Sequence, residues 1–425
     1  MMIILGIILI LFALFGTPLF IILGALALFS FYTMDIDTAA VIVELYRIAS
    51  SPTLLAIPLF TFAGYLMAES KTPKRMVALT DALFGWMPGG LAIVSLVTCA
   101  FFTAFTGASG VTIVALGGLL YPIMRKSGYP ENFSLGLLTS SGSLGLLFPP
   151  SLPIILYGFV AGISIEKLFA AGIVPGILLV VLLSIYSIRR GVSTHVPRTK
   201  FNIRTVMSAI RAAIWEIPLP FIVIVGIYTG TFTATEAAAI TAFYVIVIEV
   251  FIYRDLSMFK DVPRIMRESM LLVGGIIVIL GAALGLTNFL IDEQIPMKIL
   301  AAMQTYISSK ILFLITLNIF LLIVGCIMDI FSAIIVVVPL IVPIATQFGV
   351  DPVHLGIIFL TNLEIGYSTP PVGLNLFISS FRFKKPVVQL YRAALPFLLI
   401  LLFALIIITY VPQLSLWLVN LMSGN

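Results

Sequence analysis

The chain has 425 residues, of which 61% are hydrophobic and only 10% charged. A soluble domain carries about 25% charged residues, so this composition excludes a water-exposed globular surface. The net charge of +5 sits in short polar segments between apolar runs, which excludes a nucleic-acid-binding face.

The N-terminal run MMIILGIILILFALFGTPLFIILGALALF has no basic n-region and no small-residue cleavage site. It is too long for a signal core and reads as a retained span. Apolar stretches of spanning length recur, with helices expected near 3–31, 54–70, 166–190, 214–230, 234–253, 270–290 and 392–411. Amphipathic stretches near 72–87 and 294–309 suit the membrane surface. Between them stand two units whose halves are too short to cross singly. Residues 88–105 and 111–124 flank Thr106-Gly107-Ala108-Ser109-Gly110; residues 311–327 and 331–346 flank Met328-Asp329-Ile330-Phe331-Ser332. Both read as re-entrant hairpins, over 88–124 and 311–346, with tips at mid-membrane. Each precedes a broken span, 133–148 then 150–160 and 354–367 then 372–381, giving broken helices over 133–160 and 354–381. The basic, cytoplasmic segment 191–213 reads as a membrane-surface helix or a plain linker, with the linker role favoured and surface contact secondary. It separates halves at 1–190 and 214–425.

The halves repeat one another. GLLFPPSLPIIL at 145–156 and GYSTPPVGLNLF at 366–377 share a Gly-x-x-x-Pro-Pro break at an offset of 221. The same offset pairs Gly128 with Gly349, Pro122 with Pro343 and Gly64 with Gly285. Six Gly or Pro coincidences exceed the roughly one or two expected by chance. Of the 23 Lys and Arg residues, only Arg47, Lys167, Lys298 and Lys310 fall outside if the N-terminus is inside. Nineteen, including Arg382, Lys384 and Lys385, fall on the cytoplasmic side, a strong positive-inside bias. Lys71-Thr72-Pro73-Lys74-Arg75 lies opposite Asp292-Glu293-Gln294-Ile295-Pro296, and Arg125-Lys126 opposite Thr346-Gln347. Equivalent loops thus occupy opposite faces. The fold expected is an all-α polytopic membrane protein of two inverted repeats.

A helix broken inside hydrocarbon bares carbonyls at the end of its first half and amides at the start of its second. Each costs several kcal/mol unless it finds a partner. Carbonyl clusters suit Na⁺ and half-helix N-termini suit carboxylates, so duplicated breaks point to a secondary transporter's site. In the first repeat the hydroxyls of Thr106, Ser109, Ser140, Ser141 and Ser143 can gather. In the second, Gly325, Asp329 and Ser332 are expected to face Asn362, Gly366, Ser368 and Thr369. The alternative for these Gly and Ser residues is close helix packing. Asp329 reads either as an ion ligand or proton carrier or as a helix N-cap. Glu364 reads as a ligand or an interior acid, and Glu236 and Glu249 as structural. Cys99 and Cys326 read as packing residues without a metal, and His195 and His354 as outside any ligand set. No base stands near an intramembrane serine, no second intramembrane aspartate accompanies Asp329, and no Walker motif occurs, so enzyme and ATP-driven readings fail.

GIYTGTFTATEAAA at 226–239, with GYSTPPVGLNLF and GASG followed by GLLFPP, resembles the large membrane subunit of tripartite ATP-independent periplasmic (TRAP) transporters, over nearly the whole chain. The resemblance implies an elevator-type architecture similar to divalent-anion/Na⁺ symporters in a bacterial inner membrane. It implies Na⁺-coupled import of an organic acid such as sialic acid or a C4-dicarboxylate, with Na⁺ the coupling ion and no other cofactor. It further implies two partners: a small four-helix membrane subunit, here expected as a separate polypeptide, and a periplasmic substrate-binding protein. By position, Thr106, Gly107, Ser109 and Gly110 with Ser141, Gly142 and Gly145 would hold one Na⁺. Gly325, Asp329, Ser332, Asn362, Gly366 and Thr369 would hold another. The anion would sit between the tips, facing amides near Ser151 and Val372 and the side chains of Ser109, Ser140, Asn362 and Asn375. No intramembrane arginine is expected to pair with it, so affinity there is expected to be modest. The competing readings are a stand-alone divalent-anion/Na⁺ symporter, an ion channel and a non-transporting scaffold.

Overall fold

The computed structural model describes residues 11–12, 17–34, 37–194, 196, 201–307 and 309–422. Residues 3–10 and 13–16 of the first expected span, and His195, Arg198 and Lys200 of the linker, lie outside the described residues.

The first half opens with α1 (Leu19–Thr33), α2 (Ala39–Ala49) and, after a tight turn over Pro52–Leu55, α3 (Ala56–Glu69). The amphipathic α4 (Thr72–Phe84) starts at Pro73, whose missing amide is tolerated in a first turn. The first hairpin follows as α5 (Gly90–Thr106) and α6, which runs as Ser109–Thr112, a wider π turn over Ile113–Gly117, and Gly118–Lys126. The first broken helix comprises α7 (Glu131–Ser141), a turn over Leu144–Leu147 and α8 (Leu152–Ala161), bent by 45° at the break. The long α9 (Ile165–Ser193) closes the half.

The connection is not the plain linker expected from sequence. Asn202 caps the amphipathic α10 (Ile203–Ala212), whose Ala209, with Ala213 just beyond it, packs on Met76 and Leu79 of α4. The second half contains α11 (Pro218–Tyr228), α12 (Ala234–Ile246, continuing in a π turn over Val247–Ile252) and α13 (Asp261–Asp292). Thr233 and Glu236 form a reciprocal cap on α12, the role expected of Glu236. Then come α14 (Ile295–Tyr306), the second hairpin of α15 (Lys310–Ile327) and α16 (Ile330–Gln347), and the second broken helix of α17 (Pro352–Gly366) and α18 (Leu374–Phe383). Helices α19 (Val387–Tyr410) and α20 (Gln413–Met422) end the chain, the latter missed in the sequence, as was α2. Helices α15 and α16 are each 18 residues long and apolar enough to cross a bilayer. The two residues between them, Met328 and Asp329, nevertheless double the chain back.

The offset of 221 governs three dimensions as well as sequence. The first hairpin bounds, Thr106, Ser109 and Lys126, map onto Ile327, Ile330 and Gln347, the bounds of the second. Gly128 and Gly349 both take positive φ, 87° and 71°, at the loops that follow. Both proline doublets, Pro149-Pro150 and Pro370-Pro371, are joined by cis bonds.

Two bodies of packing emerge. Helices α1, α2 and α3 lie against α13, and α12 lies against α3. The hairpins and broken helices form the other body: α5 packs on α9, α7 on α19 and α15 on α17. The second half of each broken helix crosses to the other repeat's hairpin, α8 onto α16 and α18 onto α6. One polar cluster ties α4 to the second half. Arg75 reaches Glu216, Glu249 (3.1 Å) and Asp255 (2.5 Å), with its guanidinium 3.9 Å from the Tyr253 ring centre. Burial alone would raise the Asp255 carboxyl, yet hydrogen bonds from Arg75 and Lys71 hold it below the usual carboxylate range.

Candidate functional site

The first break is sealed. Helix α7 stops at Ser141, and Ser140, Ser141, Ser143 and Ser151 are all wholly buried. Gly145 admits no side chain, because a Cβ there would lie 2.2 Å from the Ala100 carbonyl and 2.4 Å from the Ala104 nitrogen. The hairpin tip comes to this break as the sequence suggested. Gly107 takes φ +63° to turn the chain, with Leu152 of α8 filling the space a Cβ would need. A Cβ on Gly142 would lie 3.5 Å from the Ser109 carbonyl, and one on Gly110 would meet Ile378 of α18. Two threonines that the sequence reading passed over make the polar joint. The Thr103 hydroxyl lies 2.7 Å from both the Thr112 hydroxyl and the Gly142 carbonyl. Thr106 approaches Thr112 at 3.5 Å. Both missed residues stand just outside the tip, three positions and about one helical turn from Thr106 and Ser109 respectively, which is the signal that could have found them.

The second break repeats the backbone joint but opens outward. A Cβ on Gly366 would lie 2.5 Å from the Gly325 carbonyl carbon, the contact equivalent to Gly145 against Ala104. Cys326 is more than packing: its thiol lies 3.2 Å from the Thr369 carbonyl, and its own carbonyl accepts from the Gly373 amide at 3.1 Å. The Tyr367 hydroxyl accepts from the Ile330 amide. Beside these tight joints, Pro370 and Pro371 are exposed and Val372 is 42% exposed, whereas Pro149, Pro150 and Ser151 are buried.

Several expected contacts are redrawn. Asp329 is exposed and acts as the N-cap of α16, accepting from Phe331 (2.9 Å) and Ser332 (3.2 Å) amides and from the Ser332 hydroxyl. It makes no hydrogen bond to Asn362. That amide turns the other way, donating to Asn318 Oδ1 at 2.7 Å and to the Ile358 carbonyl at 2.8 Å. Asn318 donates onward to Thr409 at 3.2 Å, and His354 is seated between the Thr409 carbonyl and Ser415. Thr369 spends its hydroxyl on the Ile365 carbonyl at 2.9 Å. Asn375 points into the core, with Nδ2 3.4 Å from the Thr139 carbonyl. Ser151 is enclosed while Val372 is on the surface, so they do not present equivalent amides to one space. Arg382 folds back along the first hairpin, its Nε donating to the Val114 carbonyl at 2.8 Å.

Unpartnered buried oxygen is concentrated at the breaks. Of ten buried side-chain atoms without a hydrogen-bond partner among the described residues, seven belong to the two broken helices. They are Ser140 Oγ, Ser151 Oγ, Asn362 Oδ1, both Glu364 carboxyl oxygens, Ser368 Oγ and Asn375 Oδ1. Buried polar atoms ordinarily find partners, so such a cluster marks where a polar guest or water completes the structure. Ser143 donates to the Glu364 carbonyl at 3.4 Å, which puts two residues 221 apart in contact. No three His, Cys, Asp or Glu gather into a metal cluster among the described residues. Apart from the Glu364 carboxyl, these unpartnered oxygens are hydroxyls and side-chain amides, neutral donors of the kind that suit an alkali cation.

Residues 6–414 match the family described as "Tripartite ATP-independent periplasmic transporter, DctM component". The C4-dicarboxylate TRAP transporter large permease protein of Pseudomonas aeruginosa is 38% identical, over 93% of this chain and 92% of that one. An isethionate TRAP transporter permease protein of Oleidesulfovibrio alaskensis is also 38% identical, over 96% of this chain and 64% of its own length. The ectoine/5-hydroxyectoine large permease protein of Ruegeria pomeroyi is 34% identical over 96% of each chain. Among solved structures, the YdaH transporter of Alcanivorax borkumensis superposes with a TM-score of 0.60 at 14% identity, covering 90% of this chain and 88% of that one. That likeness extends to the fold.

Proposed function

Because the chain belongs to the DctM family of tripartite ATP-independent periplasmic transporters, we propose that it is the large permease of a Na⁺-coupled importer of small organic acids. The observation that carries the reading is the gathering of unpartnered buried oxygens at two breaks related by one offset. The relatives are named for C4-dicarboxylate, isethionate and ectoine transport, compounds that share an acidic head group. A C4-dicarboxylate is the first candidate substrate, and sialic acid a further one.

In this reading the halves 1–190 and 214–425, joined through 191–213, act as inverted repeats. The body of hairpins and broken helices, with α9 and α19, moves as an elevator past the body of α1, α2, α3, α12 and α13. One Na⁺ lies between the first tip (Thr106, Gly107, Ser109, Gly110) and break (Ser141, Gly142, Gly145), with Thr103 and Thr112 holding the two together. A second lies between Gly325, Asp329 and Ser332 on one side and Gly366 and Thr369 on the other, contributed largely as carbonyls; Asn362 serves it from behind through Asn318. Filling the breaks lowers the cost of carrying polar backbone through hydrocarbon, which links ion binding to movement. A small four-helix membrane subunit and a periplasmic binding protein complete the assembly in a bacterial inner membrane.

The test is uptake of labelled succinate, isethionate and ectoine into proteoliposomes holding the chain with both partners. Replacing Na⁺ by choline is expected to abolish uptake, and undiminished uptake in choline would remove the coupling. Full uptake without the binding protein would favour a stand-alone symporter.

A further inference from the structure

Helix α10 has ten residues, about 15 Å at the usual rise, and is too short to cross a bilayer. It stands between α9 and α11, whose adjoining ends face the cytoplasm under the positive-inside arrangement. We propose that α10 is a docking surface for anionic phospholipids of the cytoplasmic leaflet, with Ile203 and Met207 entering the acyl boundary and Arg204 and Arg211 holding the headgroups. The proposal needs the membrane and not the cargo, so it stands apart from the transporter reading above.

The orientation of α10 is fixed by its neighbours. Val206 and Ala209 are buried, and Ala209 and Ala213 pack on Met76 and Leu79 of α4. The Tyr253 hydroxyl donates to the Ala212 carbonyl at 2.7 Å, and the Tyr244 hydroxyl to the Trp215 carbonyl at 2.9 Å. Tyrosines of α12 and its continuation thus take up carbonyls near the end of α10. Ahead of its start, Phe201 meets Trp86 edge to face, with ring centres 6.4 Å apart.

With the Val206–Ala209 stripe held inward, helical geometry sets the rest. At about 100° per residue, Ile203 and Met207 lie roughly 60° and 100° round from Val206. Arg204 and Arg211 lie further round on the same side, at roughly 160° and 140°. All four side chains are exposed. Phe201 and Ile203 are 58% and 61% exposed, and Ile214 and Trp215, just beyond the helix, are exposed too. Apolar side chains bordered by arginines along one side form the surface of a helix lying in the interface plane. Tryptophan is enriched at headgroup level, and the exposed Trp86 and Trp215 flank α10 at its two ends.

The charge of this surface is uncommitted. Neither Arg204 nor Arg211 forms an ion pair among the described residues. Nearby acids are taken already: Glu216 and Asp255 are held by Arg75, and Asp255 by Lys71 as well. The guanidinium fork matches phosphate oxygens, and the anionic lipids of the cytoplasmic leaflet supply them beside an apolar boundary. Because α10 packs on α4, a headgroup held here steadies the arm that leads into the first hairpin.

The experiment uses the full chain in phosphatidylcholine nanodiscs. A Trp417→Phe background leaves Trp86 and Trp215, of the three tryptophans, as reporters. Phosphatidylglycerol is added in increasing proportion, with bromine on its acyl chains in one series and on those of phosphatidylcholine in another. At about 50 mM NaCl, brominated phosphatidylglycerol is expected to quench the tryptophans at a mole fraction about tenfold lower than brominated phosphatidylcholine. In Arg204→Gln/Arg211→Gln that preference should fall to about onefold. Equal quenching by the two lipids in the parent chain would overturn the proposal, as would an undiminished preference in the double variant. Absence of quenching by either lipid would overturn it as well, and would put this face under water or another subunit. If the double variant does not fold, salt decides on the parent chain. Raising NaCl to about 500 mM should remove most of the preference, and an unchanged preference overturns the proposal.

Discussion

The two repeats share an offset, a pair of hairpin bounds and a proline doublet, yet they are held in opposite ways. In the first, the break is enclosed and Ser151 is wholly buried; in the second, Pro370 to Val372 lie at the surface. The arms that lead into the hairpins differ similarly. Helix α4 is pinned through Arg75 to Glu216, Glu249 and Asp255, while among the described residues the one ion pair of the corresponding α14 is the exposed Lys298–Glu293 pair at 3.3 Å. A duplicated sequence device therefore does not impose a duplicated environment. Backbone joints such as Gly145 on Ala104 and Gly366 on Gly325 are common to both halves, and accessibility is decided by what packs outside them.

The sharpest way to break this contrast is at the arms. Arg75→Ala would leave Glu216 and Glu249, each 1% exposed at the side chain, without their cation. Removing one partner of a buried ion pair costs about 3–5 kcal/mol, so loss of folded protein is expected in detergent melting. Lys298→Ala should cost about 0–1 kcal/mol, as exposed pairs do. Equal melting points would mean that α4 is not the tethered arm.

A smaller effect is expected at the glycines. Overpacking typically costs about 1–3 kcal/mol. Gly145→Ala should reach or exceed the top of that range, because its clashes are with backbone inside a closed shell. Gly366→Ala should lie lower, since the exposed segment after it can yield. The reverse order of unfolding midpoints would sink the sealed-versus-open distinction.

The smallest expected stability change is at the unpartnered hydroxyl. Ser140→Ala removes an oxygen that has no partner, so melting should stay within about 0.5 kcal/mol of wild type while the substrate concentration for half-maximal uptake rises. Asn362→Ala instead removes the nearer of the two donors to Asn318 Oδ1, leaving the Thr409 hydroxyl at 3.5 Å, and should cost about 1 kcal/mol. If Ser140→Ala leaves the substrate dependence unmoved, its hydroxyl belongs to packing alone.

Glycine and proline made the hairpins and breaks legible in the sequence, because backbone geometry depends on them almost regardless of neighbours. The N-cap of α16 was legible as one of two roles for Asp329, and its engagement with Ser332 supplies that role. What was not legible depends on long side chains and on tertiary company. Arg382 stands two positions before Lys384-Lys385 and reads as part of a cytoplasmic basic run. Only the fold shows its guanidinium turned back to Val114. Asn318, Thr409 and His354 are far apart in the chain and meet only when α15, α17 and α19 are assembled. The short α10 was one of two readings of its segment and was set below a plain linker, because Asn202 caps an amphipathic turn among largely polar residues.

Ser143 touching Glu364 has an evolutionary consequence. Positions that meet their own counterparts mark where the pseudo-symmetry axis passes. A single-repeat ancestor pairing with a second copy of itself would have to set one side chain against its twin there. Fusion into one gene lifts that restriction: Ser143 sets its hydroxyl on the backbone carbonyl of Glu364, so the two positions hold different side chains.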